Sequence, residues 1–318
     1  MLKRTKRVGI IIGIVFGLFL IMIGISFMNH RIQLSKEGSL FIPTGKMVEV
    51  NGHKIHIYTE GQGNETLVFM SGGGTSSPVL DFKSLYSLLS NQYKIAVVEK
   101  AGYGFSEIAS TSRDIDIILE ETREGLSKAG LQPPYILFPH SMSGIEALYW
   151  AQQYPYEVKG IVGLDMAVPE AYEDYRINHS ILKLARWGST IGITRFFPSV
   201  VEDSAAIKYG LLTKEEKDLY RAVFYRRTLT KPMYREIDAI KSSAEKVKGN
   251  GIPTVPMLFF ISNGEGTGWN PKEWIEFQIS YIQNTGENRY IELNCGHYVH
   301  DIKQEIIAEE SQRFIEDI

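Results

Sequence analysis

The sequence predicts an α/β protein: a mostly parallel sheet of about eight strands with helices on both faces, preceded by one long apolar helix. Three observations carry this. From Lys46 onward short apolar runs alternate with helical periodicities. Between Met166 and Gly251 the alternation stops and only helical patterns remain. Ahead of all this, Val8 to Met28 is apolar without interruption apart from Gly and Ser26.

The N-terminal run comes first. About 20 apolar residues span a hydrocarbon core as a helix, whereas the apolar part of a signal peptide is about 7–15 residues long. Ser26-Phe27-Met28-Asn29 offers no small-x-small cleavage site. The run therefore reads as an uncleaved signal anchor within residues 1–30. Lys3, Arg4, Lys6 and Arg7 precede it and only Arg31 and Lys36 follow closely, which places the N-terminus in the cytoplasm and the remainder outside. Gly9, Gly13 and Gly17 share one helix face and would let two spans approach in self-association.

Residues 31–45 read as a polar linker and 46–318 as the folded domain. Lys46 to Val50 and Lys54 to Glu60 flank Asn51-Gly52, a strong hairpin signal. Thr66 to Met70 and Tyr93 to Val98 are strands, with a helix over Asp81 to Ser90 between them. Asp114 to Ala129 has helical periodicity and stops at Gly130. Tyr135 to Phe138 is too short for a helix; Ile145 to Gln153 is one, and Val158 to Leu164 is a strand ended by Asp165. Val255 to Ile261 and Arg289 to Leu293 complete the strands, and Asp301 to Ile315 is the closing helix. The insertion at about 166–251 reads as a helical cap over the active end of the sheet, with Thr213-Lys214-Glu215-Glu216 as a capping box.

Composition narrows the chemistry. A formal net charge of -3 gives no basic footprint for nucleic acid. Cys295 is the sole cysteine, so neither an intrachain disulfide nor a thiolate metal site can form. No metal or cofactor motif stands out: His297-x-x-His300 lacks a helical carboxylate partner, and no Gly-Lys-Ser/Thr follows the glycine run.

Ligands of parallel sheets bind beyond the carboxyl ends of the strands. There Leu137-Phe138-Pro139-His140-Ser141-Met142-Ser143-Gly144 runs from a buried strand into a helix, the layout of a nucleophile elbow. Pro139 and Ser143 stand where glycines are usual. A helix cap is the plainer reading of Ser141 taken alone. His297, in Asn294-Cys295-Gly296-His297, is positioned to serve as its base, with His300 as competitor. Ser71-Gly72-Gly73-Gly74 supplies a backbone N–H from Gly73 or Gly74 that would join the Met142 N–H in an oxyanion hole. The acid is Glu265, in the loop after the seventh strand, or alternatively Asp165.

These stretches resemble the α/β-hydrolase superfamily across nearly all of 46–318. Ser71-Gly72-Gly73-Gly74 stands where that family often carries His-Gly-x-x; Gly102-Tyr103-Gly104-Phe105-Ser106 is similar to its Gly-Tyr-Gly-x-Ser turn; Gly296-His297-Tyr298 matches its histidine loop. The resemblance implies the α/β-hydrolase fold, a Ser-acid-His hydrolase with a variable cap, and no cofactor. An aspartate-nucleophile dehalogenase is disfavoured because the elbow residue is Ser141. An esterase acting on a small acyl substrate, with a lipidic one suggested by the apolar cap and the tether, is the first expectation. An aminopeptidase anchoring an amine through Glu170, Glu173 or Asp174 is the second, and a non-catalytic binding protein the third.

Overall fold

The N-terminal apolar run forms α1 (Leu2–Lys36), one helix long and apolar enough to cross a membrane. The structure, a computed structural model, describes residues 2–284 and 289–318, with side chains from residue 6. The side chains of Lys3 and Arg4, half of the expected basic flank, thus lie outside the described residues.

The sheet begins with a hairpin. β1 (Lys46–Val50) and β2 (His53–Glu60) pair antiparallel, with Val50 opposite His53. The two-residue turn has φ of 51° at Asn51 and 77° at Gly52, the left-handed pair this turn requires. β3 (Thr66–Met70), β4 (Lys94–Glu99), β5 (Tyr135–Pro139), β6 (Val158–Leu164), β7 (Met257–Ile261) and β8 (Arg289–Glu292) follow. The order across the sheet is β1-β2-β4-β3-β5-β6-β7-β8, and every pairing from β4 to β8 is parallel. The carboxyl ends of these strands therefore open onto one edge of the molecule, as the alternation predicts.

Successive strand residues face opposite sides, so two cores form. Val68 and Met70 of β3 pack into one, with β2, β5 and β6 residues; Leu67 and Phe69 pack into the other. Several boundaries differ from the sequence reading. The expected helix over Asp81 to Ser90 is split at Phe82 into α2 (Pro78–Asp81) and α3 (Lys83–Leu89). α4 (Ile115–Lys128) and α5 (Ser143–Gln153) come next, α5 starting two residues earlier than its apolar pattern. β7 starts only after Pro256, whose ring nitrogen has no hydrogen to give a ladder. The closing helix divides at Lys303 into α12 (Val299–Ile302) and α13 (Gln304–Asp317).

Between β6 and β7 the described residues form helices and turns: α6 (His179–Thr190), α7 (Ser199–Glu202), α8 (Ala205–Lys208), α9 (Lys214–Arg227) and α10 (Lys231–Gly249). At α9 the Thr213 side chain accepts the Glu216 N–H while Glu216 accepts the Thr213 N–H, a reciprocal cap. α11 (Pro271–Gln283) then joins β7 to β8.

Candidate active site

Ser141 sits between the end of β5 and the start of α5 with φ of 55°. A non-glycine residue rarely occupies this left-handed region, and doing so swings the hydroxyl out of the strand direction. The turn is sewn down by Ser143, whose Oγ lies 2.6 Å from the Met70 carbonyl and 2.9 Å from the His140 carbonyl while accepting the His140 N–H at 3.0 Å. Ser143 is thus occupied in holding the elbow together. The crowding that glycine usually relieves falls one residue later. A Cβ on Gly144 would lie 2.2 Å from the Ala167 carbonyl.

His297 follows β8 and lines the same cavity as Ser141, a cleft of about 490 Å³ roofed by Tyr172, Tyr175, Ile181 and Leu182. Its Nδ1 stands 2.6 Å from Asp165 Oδ2. A carboxylate can only accept, so Nδ1 carries the proton and Nε2 is left as the ring's acceptor. Asp165 ends β6 with φ of 48° and is fully buried. The Ser262 N–H (2.8 Å), Trp274 Nε1 (3.0 Å) and Gln278 Nε2 (3.2 Å) donate to Oδ1, and the Ser262 hydroxyl (2.7 Å) donates to Oδ2. Burial by itself would raise the pKa of this carboxyl. The hydrogen bond and charge of His297, with the Ser262 and Trp274 donors, outweigh it and hold Asp165 below its ordinary value.

The first choice of acid, Glu265, is not the carboxylate that the structure brings to the imidazole. The Glu265 side chain is exposed, and the residue meets the histidine loop through its backbone: its carbonyl accepts the His297 N–H at 2.9 Å. The chain around it turns through Gly264 and Gly266, at φ of 82° and 83°. The alternative, Asp165, occupies the position facing the imidazole.

The glycine run resolves residue by residue. Gly72 must be glycine, because a Cβ there would lie 2.8 Å from that of Ser141. The Gly74 N–H is directed at the Tyr103 hydroxyl, 3.4 Å away, and so is not free for the cavity. Gly73 and Met142 both line the cavity, and their N–H groups meet no acceptor among the described residues. Of the two glycines expected to supply the second N–H, the geometry thus favours Gly73.

Several supporting residues escape sequence reasoning. His140 is fully buried, and its Nε2 reaches the His297 carbonyl at 3.2 Å. Burial, reinforced by the neighbouring His297 and His300, holds its pKa well below the ordinary value, so the ring is a neutral donor. His300, the competitor base, lies inside α12, packed against Phe82 and His140 and out of the cleft. Lys100 at the end of β4 is buried between Glu146 of α5 and Glu236 of α10, and lies 5.1 Å over the Tyr103 ring. Burial opposes its charge, but the two carboxylates prevail and keep it protonated. Glu236 belongs to the cap insertion, where no local pattern marks it. Glu99 and Gly104 show a more legible device: a Cβ on Gly104 would sit 2.0 Å from the Glu99 carboxylate, which accepts the Phe105 N–H at 2.7 Å.

Of the expected amine anchors, Glu173 is paired with Lys248 at the surface, Asp174 is exposed, and neither they nor Glu170 line the cleft. Among the described residues no group of three or more His, Cys, Asp or Glu side chains could hold a metal ion.

Comparison with known proteins agrees with the architecture. Residues 65–186 match the model of the alpha/beta hydrolase fold. The chain is 42% identical over 241 residues to the uncharacterized protein YbdG of Bacillus subtilis, covering 74% of each chain. Among solved structures, haloalkane dehalogenase DbeA from Bradyrhizobium elkani superposes with a TM-score of 0.62 at 17% identity, over 86% of this chain and 97% of that one. Cfl2 from Burkholderia cenocepacia gives 0.63 at 17% identity, over 85% and 94%. An eight-stranded sheet in this order, a serine elbow after β5 and a histidine after β8, together with these matches, make the chain a member of the α/β-hydrolase family.

Proposed function

We propose that this protein is a membrane-anchored serine hydrolase that cleaves a carboxylic ester, or a related acyl bond, through an acyl-enzyme on Ser141. One observation carries the reading: the cleft that holds Ser141 also holds an imidazole whose Nδ1 is fixed on a buried carboxylate at 2.6 Å. That arrangement gives the ring one task, to take a proton through Nε2. Ser141 Oγ attacks the carbonyl carbon, its proton passes to His297, and the Gly73 and Met142 N–H groups receive the oxyanion. The C–O bond to the leaving group breaks as His297 returns the proton to it. Water, deprotonated by the same ring, then releases the acid.

The likeness to a haloalkane dehalogenase is one of fold, and a serine at the elbow favours acyl transfer. α1 is the anchor in this reading, with its basic N-terminal flank in the cytoplasm and the domain outside. Gly9, Gly13 and Gly17, with no neighbour of their own within 4 Å, leave a face on which two spans could pair.

Labelling with a fluorophosphonate probe, which reacts only with an activated serine, tests the chemistry. The full-length protein is expected to label and to hydrolyse a short p-nitrophenyl ester, and Ser141→Ala to do neither. Equal labelling of both proteins would overturn the assignment, and absence of labelling in the parent would favour a binding protein that has kept the fold. The aminopeptidase reading has lost its expected anchors, and aminoacyl amides offered beside the ester would separate the two.

A further inference from the structure

The cap carries apolar side chains that the protein itself leaves uncovered. On α6, Ile181, Leu184 and Trp187 recur at every third position and are 62%, 65% and 42% exposed. Phe196, Phe197 and Val200, just beyond, are exposed by half or more. Scattered exposed apolar residues need no explanation, but six on one short stretch of chain, two of them Phe and one Trp, do.

The position of this stretch relative to α1 says what covers it. Val8 to Met28 is 21 residues, about 31 Å of helix at 1.5 Å per residue, which matches the hydrocarbon thickness of a bilayer. The cap meets α1 within the last turn of that run. The Ser26 hydroxyl donates to the Ile191 carbonyl at 2.7 Å. One turn on, His30 packs so tightly on Gly192 that a Cβ there would lie 2.4 Å from its own. Arg195 then joins His30 (2.9 Å) and, through two 2.7 Å bonds, Glu37, while Arg226 donates to the Leu34 carbonyl. Ile191 and Gly192 directly follow α6 and directly precede the Phe196-Phe197 turn. If α1 spans the bilayer, this junction lies at the level where hydrocarbon gives way to headgroups. Lys183 and Arg186, exposed on α6 and free of ion pairs among the described residues, suit anionic headgroups there.

We infer that α6 and the Phe196-Phe197 turn lie in the lipid surface, so that the cap is a second membrane contact beside the span. The inference rests on the anchor reading of α1 and deepens the proposed function. Ile181 and Leu182 of the same helix line the catalytic cleft, and Val200 lines the adjoining cavity of about 670 Å³. The mouth of the site thus opens at the bilayer surface, and its substrate class is an acyl ester resident in the membrane, such as a glycerolipid, drawn in along α6.

Tryptophan fluorescence of the full-length protein, reconstituted in phosphatidylcholine–phosphatidylglycerol vesicles with and without acyl-brominated lipid, tests this directly. Trp150 and Trp274 are buried in the core and Trp269 is half-buried in the cleft lining, so the quenching that reports on α6 is the part absent from Trp187→Phe. A loss of emission in the parent that Trp187→Phe lacks, and that Leu184→Asp with Phe196→Asp reduces, is the expected result. No quenching, or equal quenching in parent and Trp187→Phe, would overturn the inference and leave the face to a second copy of the chain. Fluorophosphonate labelling of the same vesicles reports the hydrolase reading separately, since labelled protein with unquenched Trp187 refutes only the membrane contact. The Leu184→Asp, Phe196→Asp variant, whose changes lie outside the cleft lining, is expected to lose about tenfold in rate on a long-chain ester held in the bilayer, the loss that a 1.4 kcal/mol weakening gives, while hydrolysing a soluble short-chain ester like the parent.

Discussion

Asp165 reaches the imidazole of His297 across 2.6 Å from the end of β6, and four further donors saturate its two oxygens. A carboxylate so surrounded stays ionised and holds its place, so it can fix the tautomer of the ring. Asp165→Asn replaces an acceptor with a group whose NH₂ would face the ring, and favours the tautomer that puts the proton on Nε2. Turnover of a short ester should fall by about 10⁴-fold, with the fold intact by circular dichroism. Glu265→Gln, which changes an exposed side chain and leaves the backbone contact to His297, should stay within about twofold of the parent. Equal losses in the two variants would show that the choice of acid is wrong.

The serine at the elbow's last position, Ser143, invites a second measurement. Ser143 Oγ bridges two carbonyls and the His140 N–H. Ser143→Ala removes the accepted bond and the one hydrogen shared between the two carbonyls, and should lower stability by about 1–3 kcal/mol, seen as an earlier denaturation midpoint. It should also slow fluorophosphonate labelling, because Ser141 depends on that turn for its left-handed backbone. A variant that labels at the parental rate and melts at the parental temperature would show that the elbow holds without it.

Much of this was legible in the sequence, for physical reasons that also mark its limits. The hairpin at Asn51-Gly52, the strands and the cap at Thr213 all write their geometry in adjacent residues, and each was found. An elbow and a post-strand histidine have local signatures too, so Ser141 and His297 are readable as candidates, and the structure brings both to one cleft. The acid has none. Glu265 and Asp165 both follow strands, and what separates them is which loop is buried beside the imidazole, a matter of the β6–β7 register and of Trp274 and Gln278 arriving from α11. Lys100, Glu146 and Glu236 lie 46 and 90 residues apart in succession, so only the folded chain shows that they form one cluster. The split of the closing helix at Lys303 was likewise invisible to periodicity.

That cluster gives the third prediction. Lys100 neutralises two buried carboxylates, and its removal leaves them facing each other in a dry site. Lys100→Met should destabilise the protein by about 3–5 kcal/mol, the usual consequence of stranding a buried charge. Combining it with Glu146→Gln and Glu236→Gln should recover much of that loss, which a denaturant titration of the four proteins would show as strong non-additivity. Additive losses would mean that the three side chains act independently.

The last prediction concerns pH. Asp81 lines the cavity beside the cleft, buried, with Oδ1 accepting the Tyr220 hydroxyl at 3.1 Å. Burial pushes its pKa up to about 7, with the Tyr220 bond opposing in part. Asp301, also buried and likewise raised by burial and by Asp81, has one oxygen without a partner. An unfolded aspartate releases its proton near pH 4, so between about pH 4 and 7 the folded chain holds a proton that the unfolded chain has lost. Stability contributed by this group is therefore complete below pH 4 and disappears as the pH rises through 7. Asp81→Asn keeps an acceptor for Tyr220 and removes the titration. Relative to the parent, the variant should gain stability from pH 5 to about pH 7 and level off by pH 8, measured as the difference in unfolding midpoint of the two full-length proteins in matched detergent. A difference independent of pH over that range would show that Asp81 is ionised throughout, and that the cavity floor is solvated well enough to carry its charge.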